Sequence, residues 1–262
     1  MIRALYSAAT GMNAQETNID VISNNLANVN TTGFKKSRAE FQDLIYQYVQ
    51  EPGSPSSQTT IKPSGVQVGL GVKTSAVQKI FTQGDLTTTG NQLDIAIEGD
   101  GFFQVTRPDG TFVYTRAGSF QLDQNGQIVT ADGFILAPGL AVPLDSLGIA
   151  IAQDGTVSVK QPNNVNPVQI GQLTAVRFPN NGGLRAVGQS FYEETLASGP
   201  PVTGIFSQNG FGRLNQGFLE SSNVSVVEQV VNMITAQRAY EASSKGITTA
   251  DEMLSQAINL KR

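Results

Sequence analysis

The chain has 262 residues, 39% hydrophobic and only 15% charged, so it holds enough apolar material for a core under a thinly charged surface. Its net charge is −4 and its Lys and Arg are scattered, which gives no basic stripe for nucleic acid. It contains neither Cys nor His, which excludes a disulfide, a thiolate nucleophile, an imidazole base and the usual zinc site. No run of about 18 apolar residues is present to span a membrane, so the protein is not expected to be membrane-embedded. Residues 1–7 lack the apolar stretch of a secretory signal, so no cleaved signal is expected.

Residues 2–29 predict the first helix. Leu5, Ala8, Met12, Gln15, Ile19, Ile22, Leu26 and Val29 step by alternating three and four residues, and only Gln15 interrupts the stripe. So narrow an apolar seam is the pattern of a helix that needs a partner helix. Gly11 costs it about 1 kcal/mol relative to Ala. Asn and Gly in residues 28–33 tolerate the left-handed conformation that ends a helix.

Residues 34–65 read as an extended linking segment. Phe41, Leu44, Ile45, Tyr48 and Val49 have the spacing of a short helix. Pro52, Gly53, Pro55 and Pro63, set among Ser, Gln and Thr, then read as an extended loop too rich in Pro for a helix. The densest basic group, Lys35-Lys36-Ser37-Arg38, reads as a solvated turn. From 66 to 221 the pattern is short strands and turns. Residues 93–98 alternate around Ala96. Asp109-Gly110, Asn125-Gly126, Asp132-Gly133 and Asp154-Gly155 each lie between apolar runs, a strong short-range hairpin signal. A central antiparallel all-β domain is expected there.

The last helix has a start signal, a capping box with Ser225 at N-cap and Glu228 at N3. Its seam runs through Val226, Val230, Met233, Gln237, Tyr240, Ser244, Ile247, Asp251, Leu254 and Ile258, with Gln237, Ser244 and Asp251 as breaks. Lys261 and Arg262 stand where the helix dipole favours cations. The expected fold is therefore α+β. Long, coiled-coil-like N- and C-terminal helices flank the β-domain, with residues 1–33 and 222–262 forming a terminal helical polymerisation domain.

Candidate chemistry is sparse. Gly69-Leu70-Gly71-Val72-Lys73-Thr74 lacks the third Gly of a dinucleotide fingerprint and the Gly-Lys-Ser/Thr step of a P-loop, so it reads as a turn. Asp123-Gln124-Asn125-Gly126 lacks the closing Glu of a calcium loop and reads as a hairpin turn. Glu98 with Asp100, and Glu193 with Glu194, are the carboxylate pairs a glycosidase would need. Successive strand residues point to opposite faces, which disfavours the second pair, and Gly99 bends the first. The sequons at Asn30 and Asn223 lie at helix boundaries, where Asn and Ser have capping roles. No catalytic residue, cofactor or metal is expected.

The sequence from Ile22 to Phe34, with Asn24, Asn25, Leu26, Asn28, Gly33 and Phe34 as its fixed points, resembles the N-terminal signature of bacterial flagellar rod and hook proteins. Glu220-Ser221-Ser222-Asn223-Val224 and Gln237-Arg238-Ala239-Tyr240-Glu241 resemble the matching C-terminal motifs. Ile97-Glu98-Gly99-Asp100-Gly101-Phe102-Phe103 and Tyr114-Thr115-Arg116-Ala117-Gly118-Ser119-Phe120 are similar to internal ones. Within that family, residues 46–65 are similar to the stretch that sets the distal part of the rod apart.

The resemblance implies a non-enzymatic subunit of the flagellar drive shaft, exported through the flagellum's own type III apparatus. It implies a homo-polymer, a helical tube crossing the periplasm, with the terminal helices inside and the β-domain outside. The implied partners are proximal rod proteins, the hook protein, the peptidoglycan- and outer-membrane-ring proteins, the rod cap and the export apparatus. Pro52, Gly53, Pro55 and Pro63 would then belong to a rod-stiffening segment. A proximal rod or hook subunit is the nearest alternative. A surface-fibre adhesin, or a carboxylate glycosidase, would belong to a different class.

Overall fold

A computed structural model of the chain describes residues 2–53, 55–57, 60–61, 64–162 and 166–259. The element order is helix α1 (Ile2–Ala27), a succession of short strands, and helix α2 (Val226–Asn259). The described chain divides into two compact units. One contains Met1–Ala27, Ser37–Gln78 and Ser225–Arg262; the other contains Asn28–Lys36 and Lys79–Val224.

In the first unit α1 and α2 pack against each other. The segment between Ser37 and Lys79 forms a long two-stranded excursion. Strand Ser37–Asp43 pairs with Val72–Lys79, and Tyr46–Gln50 pairs antiparallel with Val66–Gly69 in the register Tyr46↔Gly69 and Tyr48↔Gln67. The short strands Pro55–Ser57 and Thr60–Ile61 continue the same hairpin. The short helix expected from Phe41, Leu44, Ile45, Tyr48 and Val49 is therefore replaced by strands. Tyr and Val favour a pleated ladder, and the valines of 66–69 supply the opposite strand. Within the expected extended loop at 51–65, the described residues Pro55–Ser57 and Thr60–Ile61 pair as strands.

Gly71 makes the turn that follows. Its φ is +115°, and a Cβ there would lie 2.1 Å from Thr10 Oγ1 of α1. The Val72 amide also donates to that hydroxyl at 3.4 Å. The glycine pair at 69–71 thus serves a turn laid closely on a helix.

In the second unit the main sheet is antiparallel and nine-stranded. Its centre is the hairpin Phe102–Thr106 with Phe112–Thr115. A three-stranded sheet, Gly148–Ile151, Thr156–Lys160 and Val168–Gln172, lies beside two isolated pairs. These pairs are Ile95–Glu98 with Arg213–Gln216, and Leu86–Thr88 with Phe218–Glu220. The larger core includes Ile95, Ile97, Phe103, Val105, Phe120, Val157, Phe206 and Leu214. A second cluster joins Phe102, Tyr114, Val176, Phe178, Leu184 and Tyr192, largely edge to face.

The four Asp-Gly and Asn-Gly turns expected from the sequence stand between paired strands, with Gly110, Gly126, Gly133 and Gly155 at positive φ. The unit boundary differs from the one read in the sequence. Residues 66–78 go with the helices, because their strands pair with 37–50. Residues 34–36 go with the β unit.

Candidate assembly surface

On α1 the expected seam is occupied within the chain. Ile22 is buried, and Leu5, Ala8, Met12, Ile19 and Leu26 are half-buried. Gly11 stands opposite α2, where a Cβ would meet Ser243 Oγ at 3.4 Å. Val29, just past the helix, is half-buried in the turn of the second unit.

On α2 the inward face is small and partly polar. Gln229, Ala236 and Ala250 are buried, and Met233, Ala239, Ser243, Ile247 and Leu254 are half-buried. Of the expected seam, Met233, Ile247 and Leu254 lie on this side, whereas Val226, Val230, Tyr240 and Ile258 are exposed. The large aliphatics form a separate outward row. Val227, Val230, Val231 and Ile234 stand at i, i+3, i+4 and i+7, with Val227 75% exposed and Ile234 52% exposed. Val227, Val231 and Ile234 were missed in the sequence; their periodicity was there, displaced from the row through Met233. The Glu228 amide reaches Ser225 Oγ at 3.5 Å, and the Gln229 amide donates to the Ser225 carbonyl at 3.0 Å, so the helix starts where the capping signal puts it.

The signature residues divide between the two units. In the first, the buried Asn25 side chain accepts from the Ser37 amide and donates to the Ser37 carbonyl, both at 2.8 Å. It also donates to Gln229 Oε1 of α2 at 3.3 Å. One amide therefore ties α1, the first strand and α2 together. Asn24 is exposed and Leu26 half-buried.

In the second unit Asn28 Oδ1 accepts from the Thr31 hydroxyl at 3.2 Å, closing the turn after α1. Gly33 has φ +68°, donates its amide to the Glu220 carbonyl at 2.8 Å, and would place a Cβ 2.5 Å from the Ala117 nitrogen. Phe34 is buried with the Lys79 ammonium 4.8 Å from its ring centre.

Lys35 is not in a solvated turn. It is fully buried, its Nζ 2.6 Å from Glu220 Oε1 and 2.8 Å from the Thr82 carbonyl. Burial pulls its amino group below the usual lysine range, against the pull of Glu220. Arg116, also buried, reaches the other Glu220 oxygen at 3.5 Å and stacks 5.3 Å over the Phe102 ring. The partner of Lys35 lies 185 residues away, which no local pattern reveals.

The excursion carries the remaining expected residues. Pro52 and Gly53 are exposed, and Pro55 opens a strand; Pro63, like Lys261 and Arg262, lies outside the described residues. Tyr46, Tyr48, Val49 and Val66 are exposed along the hairpin. Beside its base, Ile2, Arg3, Tyr6, Leu44, Ile45 and Leu70 line an open apolar groove of about 430 Å³.

Of the carboxylates considered for catalysis, Glu98 and Glu193 are engaged in ion pairs. Glu98 accepts from Arg213 Nε and Nη2 at 2.9 and 2.8 Å and from Asn215 at 2.8 Å, and these bonds hold its carboxyl below the usual range. Glu193 is gripped by Arg185 and Arg107 and lowered in the same way. A general acid needs the opposite shift. No described helix is long and apolar enough to cross a membrane.

Three family descriptions match the sequence in succession. Residues 5–35 match the flagella basal body rod protein family, residues 96–159 the D1 domain of flagellar hook protein FlgE/F/G, and residues 215–260 the C-terminal part of flagellar basal body rod FlgEFG proteins. The chain is 50% identical to the flagellar basal-body rod protein FlgG of Borreliella burgdorferi, covering 100% of both chains. It is 51% identical to FlgG of Buchnera aphidicola, covering 99% of this chain and 100% of the relative. A flagellar hook protein FlgE of Helicobacter mustelae is 39% identical, over 71% of this chain and 41% of its own length.

Proposed function

The chain belongs to the family of flagellar basal-body rod and hook proteins, and from that premise we propose that it is the structural subunit of the distal rod. The observation that carries this reading is the 50% identity to a rod protein along the whole of both chains. The hook relative, by contrast, is matched over 41% of its length. The protein works in the basal body of the flagellum, as part of its rod.

The first unit supplies the contacts of a polymer. The outward row Val227, Val230, Val231 and Ile234 and the exposed hairpin residues Tyr46, Tyr48 and Val49 are different surfaces of one chain. Contacts between unlike surfaces do not close into a two-fold dimer; they repeat from copy to copy and, where the rotation does not close a ring, build a helical filament. Each valine buried between copies contributes about 1.5–3 kcal/mol, so a few suffice to hold a neighbour. The inward residues of the two seams then serve folding of the subunit, and the outward row serves assembly.

Proximal rod proteins, the hook protein, the ring proteins, the rod cap and the type III export apparatus are the neighbours this position brings. The role is mechanical rather than enzymatic: the tube transmits torque to the hook and encloses the export channel. The engaged carboxylates Glu98 and Glu193 support that reading.

Electron microscopy of the purified full chain tests the proposal. The unaltered protein is expected to polymerise into straight tubes. Val227→Asp with Val231→Asp is expected to stay monomeric while its circular dichroism and melting temperature remain those of the parent. Tubes formed equally well by the double variant would remove this face from the assembly. A parent that never polymerises, together with failure to restore motility to a flagellated bacterium lacking its own distal rod protein, would defeat the rod reading.

A further inference from the structure

The β unit keeps its first strands waiting for its last. Ile95–Glu98 has its ladder partner in Arg213–Gln216, and Leu86–Thr88 has its partner in Phe218–Glu220. The strands between them include local hairpins, such as Phe102–Thr106 with Phe112–Thr115 and Gly148–Ile151 with Thr156–Lys160. Residues 28–36 also depend on the end of the unit. The Gly33 amide donates to the Glu220 carbonyl, and the Lys36 amide donates to Asn223 Oδ1 at 2.7 Å. Asn223 Nδ2 in turn donates to the Ile80 carbonyl at 2.9 Å.

Charge sharpens this dependence. Lys35 and Arg116 are both buried around the Glu220 carboxylate, which also accepts from the Gly84 amide at 2.9 Å. Without Glu220, closing the unit would drive two like charges into one apolar interior. A buried charge that loses its counter-ion is strongly destabilising. With Glu220 present, both cations acquire a partner in one step.

We propose that Lys35, Arg116 and Glu220 form a late-closing ionic lock: residues 28–36 and the first strands of the β unit stay undocked until residues 213–223 arrive, and Glu220 then closes the unit in a single final step. The inference goes beyond the rod reading and does not depend on it. In any chain that emerges N-terminus first, it keeps the β unit open until almost all of it has been delivered.

Pulsed hydrogen exchange during refolding of the full chain tests the lock. The amides of Gly33, Lys36 and Gly84, whose acceptors lie in residues 220–223, are expected to gain protection together with residues 213–220. That phase should be at least tenfold slower than protection of the hairpins at 102–115 and 148–160. Protection of Gly33 and Lys36 as early as those hairpins would overturn the proposal. The triple variant Lys35→Met, Arg116→Leu, Glu220→Met removes the charges and keeps the bulk, and its slow phase is expected to shorten at least fivefold. A slow phase unchanged in that variant would show that topology alone sets the order, and the lock would be discarded. If that variant does not refold, Lys35→Met, which leaves Arg116 paired with Glu220, takes its place, and a slow phase unchanged there discards the lock in the same way.

Discussion

Gly33 and Asn25 are the two signature positions where single atoms decide the local fold. A methyl on Gly33 would meet the Ala117 backbone and would stand on a left-handed backbone. Together, strain and overlap predict that Gly33→Ala destabilises the β unit by about 3 kcal/mol in a denaturant titration. Asn25→Ala strips partners from the Ser37 amide and carbonyl and from Gln229, and is expected to cost about 2–4 kcal/mol. Ser23→Ala, an exposed neighbour, should change stability by no more than about 0.5 kcal/mol. Equal effects of the two substitutions would mean that the Asn25 bonds do not organise the helices. The sequence pattern picks out Gly33 and Asn25, but not Lys35, which looks like part of a basic turn. Its burial depends on a carboxylate at the far end of the chain.

At the scale of elements, α2 carries two faces of different character. The inner one is lined with alanine and serine and allows close approach at Gly11. The outer one carries the larger aliphatics. Periodicity locates such a helix, yet it cannot say which of two overlapping rows turns inward. The hairpin from Tyr46 to Gly69 was hidden for a related reason. Phe41, Leu44, Ile45 and Tyr48 fit a helical spacing, and only the pairing of Tyr48 with Gln67 decides for strands. The tip of that hairpin is separable from its base. Replacing residues 51–65 by Asn-Gly should leave the Tyr46–Gln50 ladder and the monomer's dichroism intact. The polymer is expected to become curved under the electron microscope, since the segment would no longer reach a neighbour. A rod that stays straight would deprive the segment of its stiffening role.

The whole molecule divides at places that composition does not mark. The four glycine turns of the β unit are local and readable, whereas its ends at 28–36 and 218–224 meet only through pairing across the chain. A chain trimmed to residues 28–224 should keep the strand signal and a cooperative melt, because every residue of the second unit is retained. Trimming further, to 37–224, removes Gly33 and Lys35 from Glu220 and is expected to cost a further 3–5 kcal/mol or so, read as a lower melting temperature. Identical melting of the two would show that residues 28–36 contribute nothing to the unit. The pairing of Lys35 with Glu220 has one more consequence, for chains that are made badly. A product that stops before residue 220 lacks the carboxylate that pairs with both buried bases, so on this proposal it stays open and exposed to proteases. On that proposal folding measures the length of its own chain, and a chain cut short of residue 220 is expected to be cleared before it can join a polymer.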